Sequence, residues 1–348
     1  MLIALCYCIL SFAQVATPEQ YGARADGVHD DSKAIQKALE NCTHLKMTGV
    51  YAVSKTIIVK DQSITLDKTA KIVAIGAQMD YMFKYVGTKE VVYLDGGGVI
   101  DCNGKCGGIF YDSPKTFRLQ NLYITGMSKN PSLYMNNGFL ESYDINCDRE
   151  NVAKAQQPEY SVVLKGGSDH KLDRWTIITS RKGISGCGHA DILSRVHIYG
   201  GVEVGFEVTG PCTFNMCYTD YCKIGFDVKC NNYYATLHVV NHNTTGNKSD
   251  VLINCHDKVL RGTLTIASHT NYNQRLVQFA PEVSKGQSEL EIEIIYNIPR
   301  KGRTVERPNF GSSEDKDTMA GFTFYDMNLK KLILWNGDKW VNLDGSRL

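Results

Sequence analysis

The chain has 348 residues, of which 43% are hydrophobic and 22% are charged, a composition typical of a globular protein with a substantial core. Its 38 Lys and Arg residues are balanced by 37 Asp and Glu residues, which excludes a broad basic surface for nucleic acid or an anionic membrane. Abundant Gly (31) and Tyr (19), with only 8 Pro, favour a β-rich chain with many turns.

The first element is the apolar run at residues 1–13, MLIALCYCILSFA. It is too short to span a bilayer as a helix, but it has the length of a signal-peptide core and ends in small residues suited to cleavage. No Lys or Arg precedes the run, and a buried N-terminal strand is the alternative. We predict a signal peptide at 1–13, an exported chain and no membrane span.

Twelve cysteines are present, and ten remain once Cys6 and Cys8 leave with the predicted signal peptide. An even number in an exported chain permits disulfides, and Cys102 and Cys106 are spaced for a local bridge. The alternative for most of the others is a role as small buried hydrophobes. Their spacing does not match a zinc site, so no metal site is predicted from them.

A helix is predicted near 31–40, where four apolar residues share one face, Ala34, Ile35, Ala38 and Leu39. Asp30 or Asp31 can cap its first turn, because a carboxylate there accepts from unpaired backbone amides. The helix precedes a series of short strands rich in Val, Ile, Thr and Tyr. We therefore predict that it covers the open end of the structure that those strands build.

An internal repeat is the strongest feature of the sequence. Strand-like segments at 172–178, 193–198, 214–219 and 235–240 keep one register, with four equivalent residues each 21 positions apart, Trp175, Val196, Cys217 and His238. Three glycines also recur once in each repeat, at spacings of 22 and 20 residues, Gly183, Gly205 and Gly225. Two strands per period of about 21 residues indicate a solenoid in which each coil stacks on the last.

The remaining segments do not follow the 21-residue repeat. Residues 129–160 are predicted to form a long excursion from the coil, of the kind that shapes binding sites. We expect a β-helix over 17–298, a polar linker over 299–320 and a small C-terminal β unit over 321–348. In that last unit Asn336-Gly337 lies between two strand-like runs, which is a strong hairpin signal.

Residues 21–38, YGARADGVHDDSKAIQKA, resemble the opening of the pectate-lyase-like superfamily, which includes polygalacturonases, rhamnogalacturonases and phage tailspike depolymerases. Residues 96–104, GGGVIDCNG, are similar to a glycine-rich rung of the polygalacturonase-like enzymes. The resemblance covers roughly residues 18–290. It implies an all-β fold, a right-handed parallel β-helix (solenoid) with an N-terminal capping helix, here followed by a small C-terminal β-hairpin unit.

The chain departs from the family at the positions that carry the hydrolases' acid and base. Those carboxylates precede the repeated glycine, where this sequence has Lys182, Val204 and Ile224. The segment Gly186-Cys-Gly-His189 only partly matches the family's Gly-His-Gly element. The resemblance therefore implies a polysaccharide ligand without implying the family's usual inverting hydrolysis.

The candidate catalytic residues come from the repeat itself. Two positions after the glycines stand Ser185, Glu207 and Asp227, and neighbouring rungs of a parallel sheet are about 4.8 Å apart. Two stacked carboxylates raise one pKa, as an acid/base pair requires, at a spacing nearer to that of retaining enzymes. The alternatives are a Ca²⁺ site, Ca²⁺ being the one cofactor considered, and a solvated face neutralised by Lys and Arg.

A second column contains Arg181, Glu203 and Lys223. It is either a cross-strand ion-pair ladder or part of a lyase, in which Arg181 or Lys223 removes the α-proton of a uronate. Substrate binding is assigned to four residues, Arg174, Arg195, His189 and Tyr218. The arginines suit sugar carboxylates, and His197, Tyr199 and Tyr221 are further candidates for proton transfer or for stacking on sugar rings.

Together these features predict an exported polysaccharide-degrading protein, either a glycoside hydrolase or a polysaccharide lyase acting on an acidic or complex glycan. The alternative is a non-catalytic glycan-binding protein of the phage-tail or adhesin kind, for which a homotrimer is a natural assembly. The partner in both cases is a polysaccharide, and neither case involves nucleic acid.

Overall fold

The computed structural model describes residues 15–149, 152–229, 234–245, 249–253, 259–268, 275–279, 289–296, 301–308 and 320–348. The predicted signal peptide at 1–13 lies outside the described residues. The chain divides into two compact units, which we call unit 1 (Met1–Glu159 with Lys165–Gly167) and unit 2 (Tyr160–Leu164 with Ser168–Leu348). The domain boundaries expected from the sequence stay a prediction.

The described residues of unit 1 contain one α-helix, α1, at Ser32–Glu40, and 3-10 turns at Pro18–Tyr21 and Lys154–Gln156. Its strands in chain order are Val15–Ala16 (β1), Asp26–Asp30 (β2), His44–Met47 (β3), Val50–Val53 (β4), Ile57–Val59 (β5), Ser63–Leu66 (β6), Lys71–Ala74 (β7), Tyr81–Tyr85 (β8), Val91–Asp95 (β9), Val99–Asp101 (β10), Gly107–Tyr111 (β11), Thr116–Thr125 (β12), Leu133–Met135 (β13) and Phe139–Asp148 (β14).

The strands of unit 1 pair in parallel with strands one coil away. Strands β5, β8, β11 and β13 form one sheet, and β12 pairs on one side with β9 and β10 and on the other with β14. Side chains alternate between the inside and the outside of each strand, so every coil adds apolar residues to one continuous interior. Tyr85, Tyr111 and Phe117 meet there, with ring centroids 4.8–6.1 Å apart.

Unit 2 continues the strand numbering and has a 3-10 turn at Thr304–Glu306. Its strands are Tyr160–Leu164 (β15), Lys171–Ile178 (β16), Lys182–Cys187 (β17), Asp191–Ser194 (β18), His197–Tyr199 (β19), Val204–Val208 (β20), Cys212–Asn215 (β21), Tyr218–Asp220 (β22), Ile224–Val228 (β23), Tyr234–Thr245 (β24), Ser249–Ile253 (β25), Val259–Ser268 (β26), Arg275–Phe279 (β27), Glu289–Tyr296 (β28), Lys301–Gly302 (β29), Thr323–Asp326 (β30), Lys331–Trp335 (β31) and Trp340–Asn342 (β32).

Unit 2 is also a parallel β-helix, which confirms the predicted fold class. Its first sheet contains β16, β18, β19, β21, β22, β24, β26 and β28, and its second sheet contains β15, β17, β20, β23, β25 and β27. Phe206 and Phe226 stack at 4.9 Å between ring centroids, and Phe214 packs edge-on against both.

The predicted repeat corresponds to a bend in the first sheet of unit 2. The bend is made by one left-handed residue per coil, Arg174 (φ 54°), Arg195 (φ 53°) and Met216 (φ 51°). The residue that follows each of them is fully buried, Trp175, Val196 and Cys217. The 21-residue period is thus the length of one coil between Trp175 and Cys217, measured from corner to corner. His238 does not continue the series, because it is the register partner of Thr213, 25 positions earlier, and its predicted equivalence to Cys217 is wrong.

The repeated glycines of the second sheet are required by close approach of neighbouring strands. A Cβ atom on Gly183 would lie 2.4 Å from the carbonyl oxygen of Gly205, and one on Gly205 would lie 2.6 Å from that of Gly225. A side chain at either position would therefore force the coils apart.

The predicted helix is observed, and its capping role stays a prediction. Asp30 Oδ1 accepts a hydrogen bond from Ser32 N at 3.0 Å, whereas the buried Asp31 instead accepts from Arg24 N and Ala25 N at 2.7 and 3.1 Å. The expected excursion over 129–160 is largely wrong, because β13 and β14 occupy most of it. Leu133–Met135 and Phe139–Asp148 pair with neighbouring coils, and the longest described stretch of this segment outside the strands is 152–159.

Every cysteine that the structure describes is a buried free thiol, including Cys102 and Cys106. The expected local bridge between these two is therefore not formed. Cys106 Sγ instead lies 3.9 Å from the carbonyl oxygen of Cys102, and burial raises the pKa of the Cys102 thiol well above its usual value.

The predicted C-terminal hairpin is observed as β31 and β32, which pair antiparallel, with β30 on the other side of β31. Phe324, Ile333 and Trp335 form its core. The buried Asp326 carboxylate is paired with Arg307 at 2.6 Å.

Candidate functional site

The predicted carboxylate column lies on the second sheet of unit 2. Glu207 on β20 is the register partner of Asp227 on β23, so the two carboxylates do face outward on neighbouring coils. Ser185, one coil before, donates a hydrogen bond to Glu207 Oε1 at 2.8 Å. The structure thus brings together the three residues that the repeat predicts.

Lys229 forms ion pairs with both Glu207 and Asp227. Its ammonium lies 2.7 Å from Glu207 Oε2 and 3.0 Å from Asp227 Oδ2, and the Tyr160 hydroxyl also donates to Glu207 Oε2 at 2.7 Å. Burial by itself would raise the pKa of Glu207, but Lys229, Tyr160 and Ser185 outweigh it and hold that pKa below its usual value. The two carboxylates raise the pKa of Lys229 to about 12, against the opposing effect of burial.

The raised pKa expected for a stacked acid/base pair is therefore not what Glu207 shows. Its ionised form is the one that the surrounding donors stabilise, which suits a fixed anion better than a proton donor. The cluster does not fit Ca²⁺ either, because the Lys229 ammonium occupies the position between the two carboxylates that a cation would take. Among the residues that the structure describes, no group of three or more His, Cys, Asp or Glu side chains is arranged to hold a metal ion.

Three residues around Glu207 and Asp227 were not among the site residues predicted from the sequence, Lys229, Tyr160 and Lys182. Lys229 follows Asp227 by two positions, and that spacing is the signal that places both on one face of an extended segment. Tyr160 lies on β15, and the Lys182 ammonium lies 4.7 Å from the centre of its ring. No spacing in the sequence identifies these contacts.

The column of Arg181, Glu203 and Lys223 is placed as expected, each residue directly preceding a strand of the second sheet. Main-chain hydrogen bonds connect this column from coil to coil. Glu203 N donates to Arg181 O at 2.6 Å, and Ile224 N donates to Glu203 O at 3.1 Å. The assignment of Arg181 or Lys223 as a base stays a prediction.

The two arginines assigned to substrate binding lie at the bend of the first sheet, on consecutive coils. Arg195 pairs with Asp173 through both Nε, at 2.9 Å, and Nη2, while Arg174 Nη1 lies 3.2 Å from the same carboxylate. A groove of about 400 Å³ opens here, lined by Lys171, Leu172, Asp173, Ile192, Ser194, Arg195, Asn215 and Met216. Its charged residues are two cations and one anion, so the groove carries a net positive charge.

Past the bend, the same strands present an aromatic strip to the outside. The His197 ring on β19 stacks with that of Tyr199, on the same strand, at 4.6 Å, and with that of Tyr218 on β22 at 4.5 Å. Asp220 follows Tyr218 by two positions and therefore points to the same face. Its Oδ2 lies 4.0 Å from His197 Nε2.

The polar atoms of this pair are unusual. Among the described residues, neither His197 Nε2 nor Asp220 Oδ1 has a hydrogen-bond partner, although both atoms are buried. Burial lowers the pKa of His197, with Asp220 opposing, and burial raises the pKa of Asp220, with His197 opposing. Buried polar groups left in this state are uncommon and are concentrated at functional sites.

Of the other assigned residues, Tyr218 belongs to this strip and His189 does not. His189 lies in the turn between β17 and β18, with a left-handed backbone (φ 57°) and an exposed side chain. The residue that sequence reasoning missed is Asp220, whose signal is its spacing from Tyr218. We call His197, Tyr199, Tyr218 and Asp220 the aromatic strip.

Comparison with known proteins identifies the fold. No known family and no curated protein matches the sequence. An exopolygalacturonase from Thermotoga maritima aligns over 82% of this chain and 92% of its own, with 9% identity and a TM-score of 0.53. Two further structures are more distant. A mannuronan C-5 epimerase A-module from Azotobacter vinelandii aligns over 81% of this chain and 99% of its own, with 12% identity and a TM-score of 0.48. A surface adhesin from Streptococcus pneumoniae aligns over 81% of this chain and 100% of its own, with 12% identity and a TM-score of 0.40.

At such low identity the likeness to the exopolygalacturonase establishes the fold alone. The parallel β-helix implied by the resemblance to the pectate-lyase-like superfamily is confirmed. No helix among the described residues is long and apolar enough to cross a membrane.

Proposed function

We propose that this chain binds a uronate-containing polysaccharide across the first sheet of unit 2 and cleaves it by β-elimination. The observation that carries the proposal is the His197–Asp220 pair beside a groove of positive charge, in which the buried His197 Nε2 and Asp220 Oδ1 have no hydrogen-bond partner among the described residues. The fold is also that of an exopolygalacturonase, an enzyme that acts on a uronate polymer.

The groove and the strip supply different parts of recognition. Lys171 and Arg195 give the groove cations for a sugar carboxylate, with Asp173 holding the Arg195 guanidinium in a fixed orientation. Tyr199 and Tyr218 offer flat apolar surface against which a sugar ring can stack. Both parts lie on strands of one sheet, so an extended chain of sugars can contact them together.

His197 is suited to act as the base. Its lowered pKa keeps the imidazole neutral near pH 7, and the Asp220 carboxylate near Nε2 favours the tautomer that carries the proton there. Nδ1 then holds the lone pair that accepts the α-proton of the uronate. The electrons of that C–H bond form a double bond to the neighbouring ring carbon, the glycosidic C–O bond breaks, and the Tyr218 hydroxyl protonates the departing oxygen.

Elimination is favoured over hydrolysis because Glu207, held in its ionised form, is not suited to protonate the leaving group as a hydrolase's acid must. Lys229 pairs with both carboxylates, and its contact with Glu207, together with those of Tyr160 and Ser185, holds the pKa of Glu207 below its usual value against burial. Elimination needs a neutral base and a cation near the uronate carboxylate, which His197 and Arg195 supply.

The test uses purified protein incubated with polygalacturonate, alginate, hyaluronan and bacterial capsular polysaccharides. Elimination creates a conjugated double bond that absorbs in the ultraviolet, and reducing ends count all cleavage events. We expect both signals to rise together in the wild type and to fall at least tenfold in His197→Gln. The matched control is His44→Gln, on an outward position of β3 in unit 1, where His44 Nε2 contacts Thr65 Oγ1 at 3.0 Å.

Two results would reject the mechanism. Reducing ends without ultraviolet absorbance, lost in a Glu207→Gln/Asp227→Asn double variant, would establish a hydrolase that uses the stacked carboxylates. Binding without any product would favour the non-catalytic tail or adhesin protein. Export is proposed from residues 1–13 alone, and N-terminal sequencing of the expressed protein tests it, since cleavage leaves a chain beginning near Gln14.

A further inference from the structure

A polar cavity of about 500 Å³ in unit 1 is not used by the proposed function. It is lined by Lys71, Asp101, Asn103, Gly104, Thr125, Val152 and Gln156. Its volume falls within the range of small-molecule sites, about 300–1,000 Å³. Three of the lining residues end the glycine-rich segment 96–104, which the sequence singles out and the proposed mechanism leaves without a role.

The floor of the cavity holds its polar groups in fixed positions. Lys71 on β7 and Asp101 on β10 lie on paired strands, with Lys71 Nζ 2.8 Å from Asp101 Oδ2. Asp101 Oδ1 accepts from Asn103 N at 2.8 Å, and Asn103 Nδ2 donates to Ala74 O at 3.0 Å. Groups oriented in advance in this way lose little freedom when a ligand binds.

The roof of the cavity is the short segment 152–158, and it is anchored through its main chain. Gln156 O accepts from Lys129 N at 2.9 Å and from Ser128 Oγ at 3.1 Å. The buried Gln157 side chain donates from Nε2 to Val152 O at 2.8 Å. The Gln156 side chain is not needed for this anchoring, so it lies at the cavity as a polar group on a preformed wall.

The lining restricts the chemistry of the ligand. Asp101 cancels the charge of Lys71, so a phosphate or a uronate finds no unopposed cation there. None of the lining residues is aromatic, so a nucleobase finds no ring to stack on. Carboxylate and carbonyl oxygens alternate with ammonium, amide and hydroxyl donors, and this mixture matches groups that both donate and accept, as sugar hydroxyls do.

We propose that this cavity is a binding site for an uncharged sugar residue, separate from the uronate site on unit 2. It does not depend on the proposed elimination.

The test titrates the protein with glucose, galactose, mannose, rhamnose and N-acetylglucosamine, and with glucuronate and galacturonate as charged counterparts, followed by ligand-observed NMR and calorimetry. Gln156→Trp fills the cavity from its roof, and Ala155→Trp, on the same turn but outside the lining, is the matched control. Lys71→Met is a second variant that removes a floor donor.

We expect saturable binding of at least one neutral sugar, weakened at least tenfold by Gln156→Trp and by Lys71→Met and unchanged by Ala155→Trp. Binding is also expected to survive His197→Gln, which separates this site from the uronate site. The proposal is overturned if no neutral sugar binds, if the uronates bind more tightly than their neutral counterparts, or if a folded Gln156→Trp variant binds as the wild type does.

Discussion

Replacing Lys229 by Met removes the cation that lies between Glu207 and Asp227. The two carboxylates, 14% and 8% exposed, then face each other across neighbouring coils without a counter-charge. Breaking a fully buried ion pair costs about 3–5 kcal/mol. Lys229 is 39% exposed, so water replaces part of the interaction, and we expect a loss of about 2 kcal/mol in the free energy of unfolding at pH 7.

The loss should depend on pH in a defined direction. The pKa of Glu207 is lowered in the folded wild type, so its contribution to stability is present above the unfolded value and declines as the pH falls. Without Lys229 that folded pKa rises. The deficit of Lys229→Met relative to the wild type should therefore shrink as the pH falls from the raised folded pKa of Glu207 in the variant towards its lowered folded pKa in the wild type.

Urea unfolding at pH 7 and at pH 4 measures both effects. Lys223→Met, an exposed lysine just before β23, is the matched control and should change stability by no more than about 0.5 kcal/mol. In the Glu207→Gln/Asp227→Asn background, Lys229→Met should lose most of its effect. An equal loss for both lysine variants at pH 7, or an undiminished loss at pH 4, would show that charge neutralisation is not what Lys229 contributes.

Two further predictions concern buried polar groups. Burial raises the pKa of Asp191 to about 7, against hydrogen bonds from Gly188 N and His170 N, so its contribution to stability is full below the unfolded value and is lost as the pH rises to about 7. Relative to Asp191→Asn, the wild type should lose about 3 kcal/mol between pH 4 and pH 7 in denaturant titrations, and parallel pH profiles would contradict this. The Tyr85 hydroxyl is buried without a hydrogen-bond partner among the described residues, so Tyr85→Phe should leave the melting temperature unchanged or raise it, stabilising by up to about 1 kcal/mol. A clear drop would indicate a partner for that hydroxyl.

The period of the sequence was sufficient to predict the solenoid. Trp175, Val196 and Cys217 recur at one coil length because each follows the same left-handed corner and enters the same interior column. The column of Glu207 and Asp227 was predictable because each carboxylate stands two positions after a repeated glycine, and those glycines mark the same point of successive coils. Periodic burial is a local property that each coil repeats, and a sequence therefore displays it directly.

The charge pairing and hydrogen bonding of each carboxylate were not predictable from the sequence in the same way. The neutralisation of Glu207 depends on Lys229 from the next coil and on Tyr160, 47 positions earlier in the chain. The buried Nε2 of His197 and Oδ1 of Asp220, without hydrogen-bond partners among the described residues, become visible only once their strands lie side by side.

The sequence by itself determined the repeating backbone of this protein, because apolar and glycine positions recur with every coil and their packing needs no distant partner. The tertiary structure alone decided which outward charged side chains are paired with an opposite charge, and which buried polar atoms have no hydrogen-bond partner among the described residues. Electrostatic interactions fall off over a few ångströms and depend on burial, so they are set by contacts between coils that no spacing in one strand records.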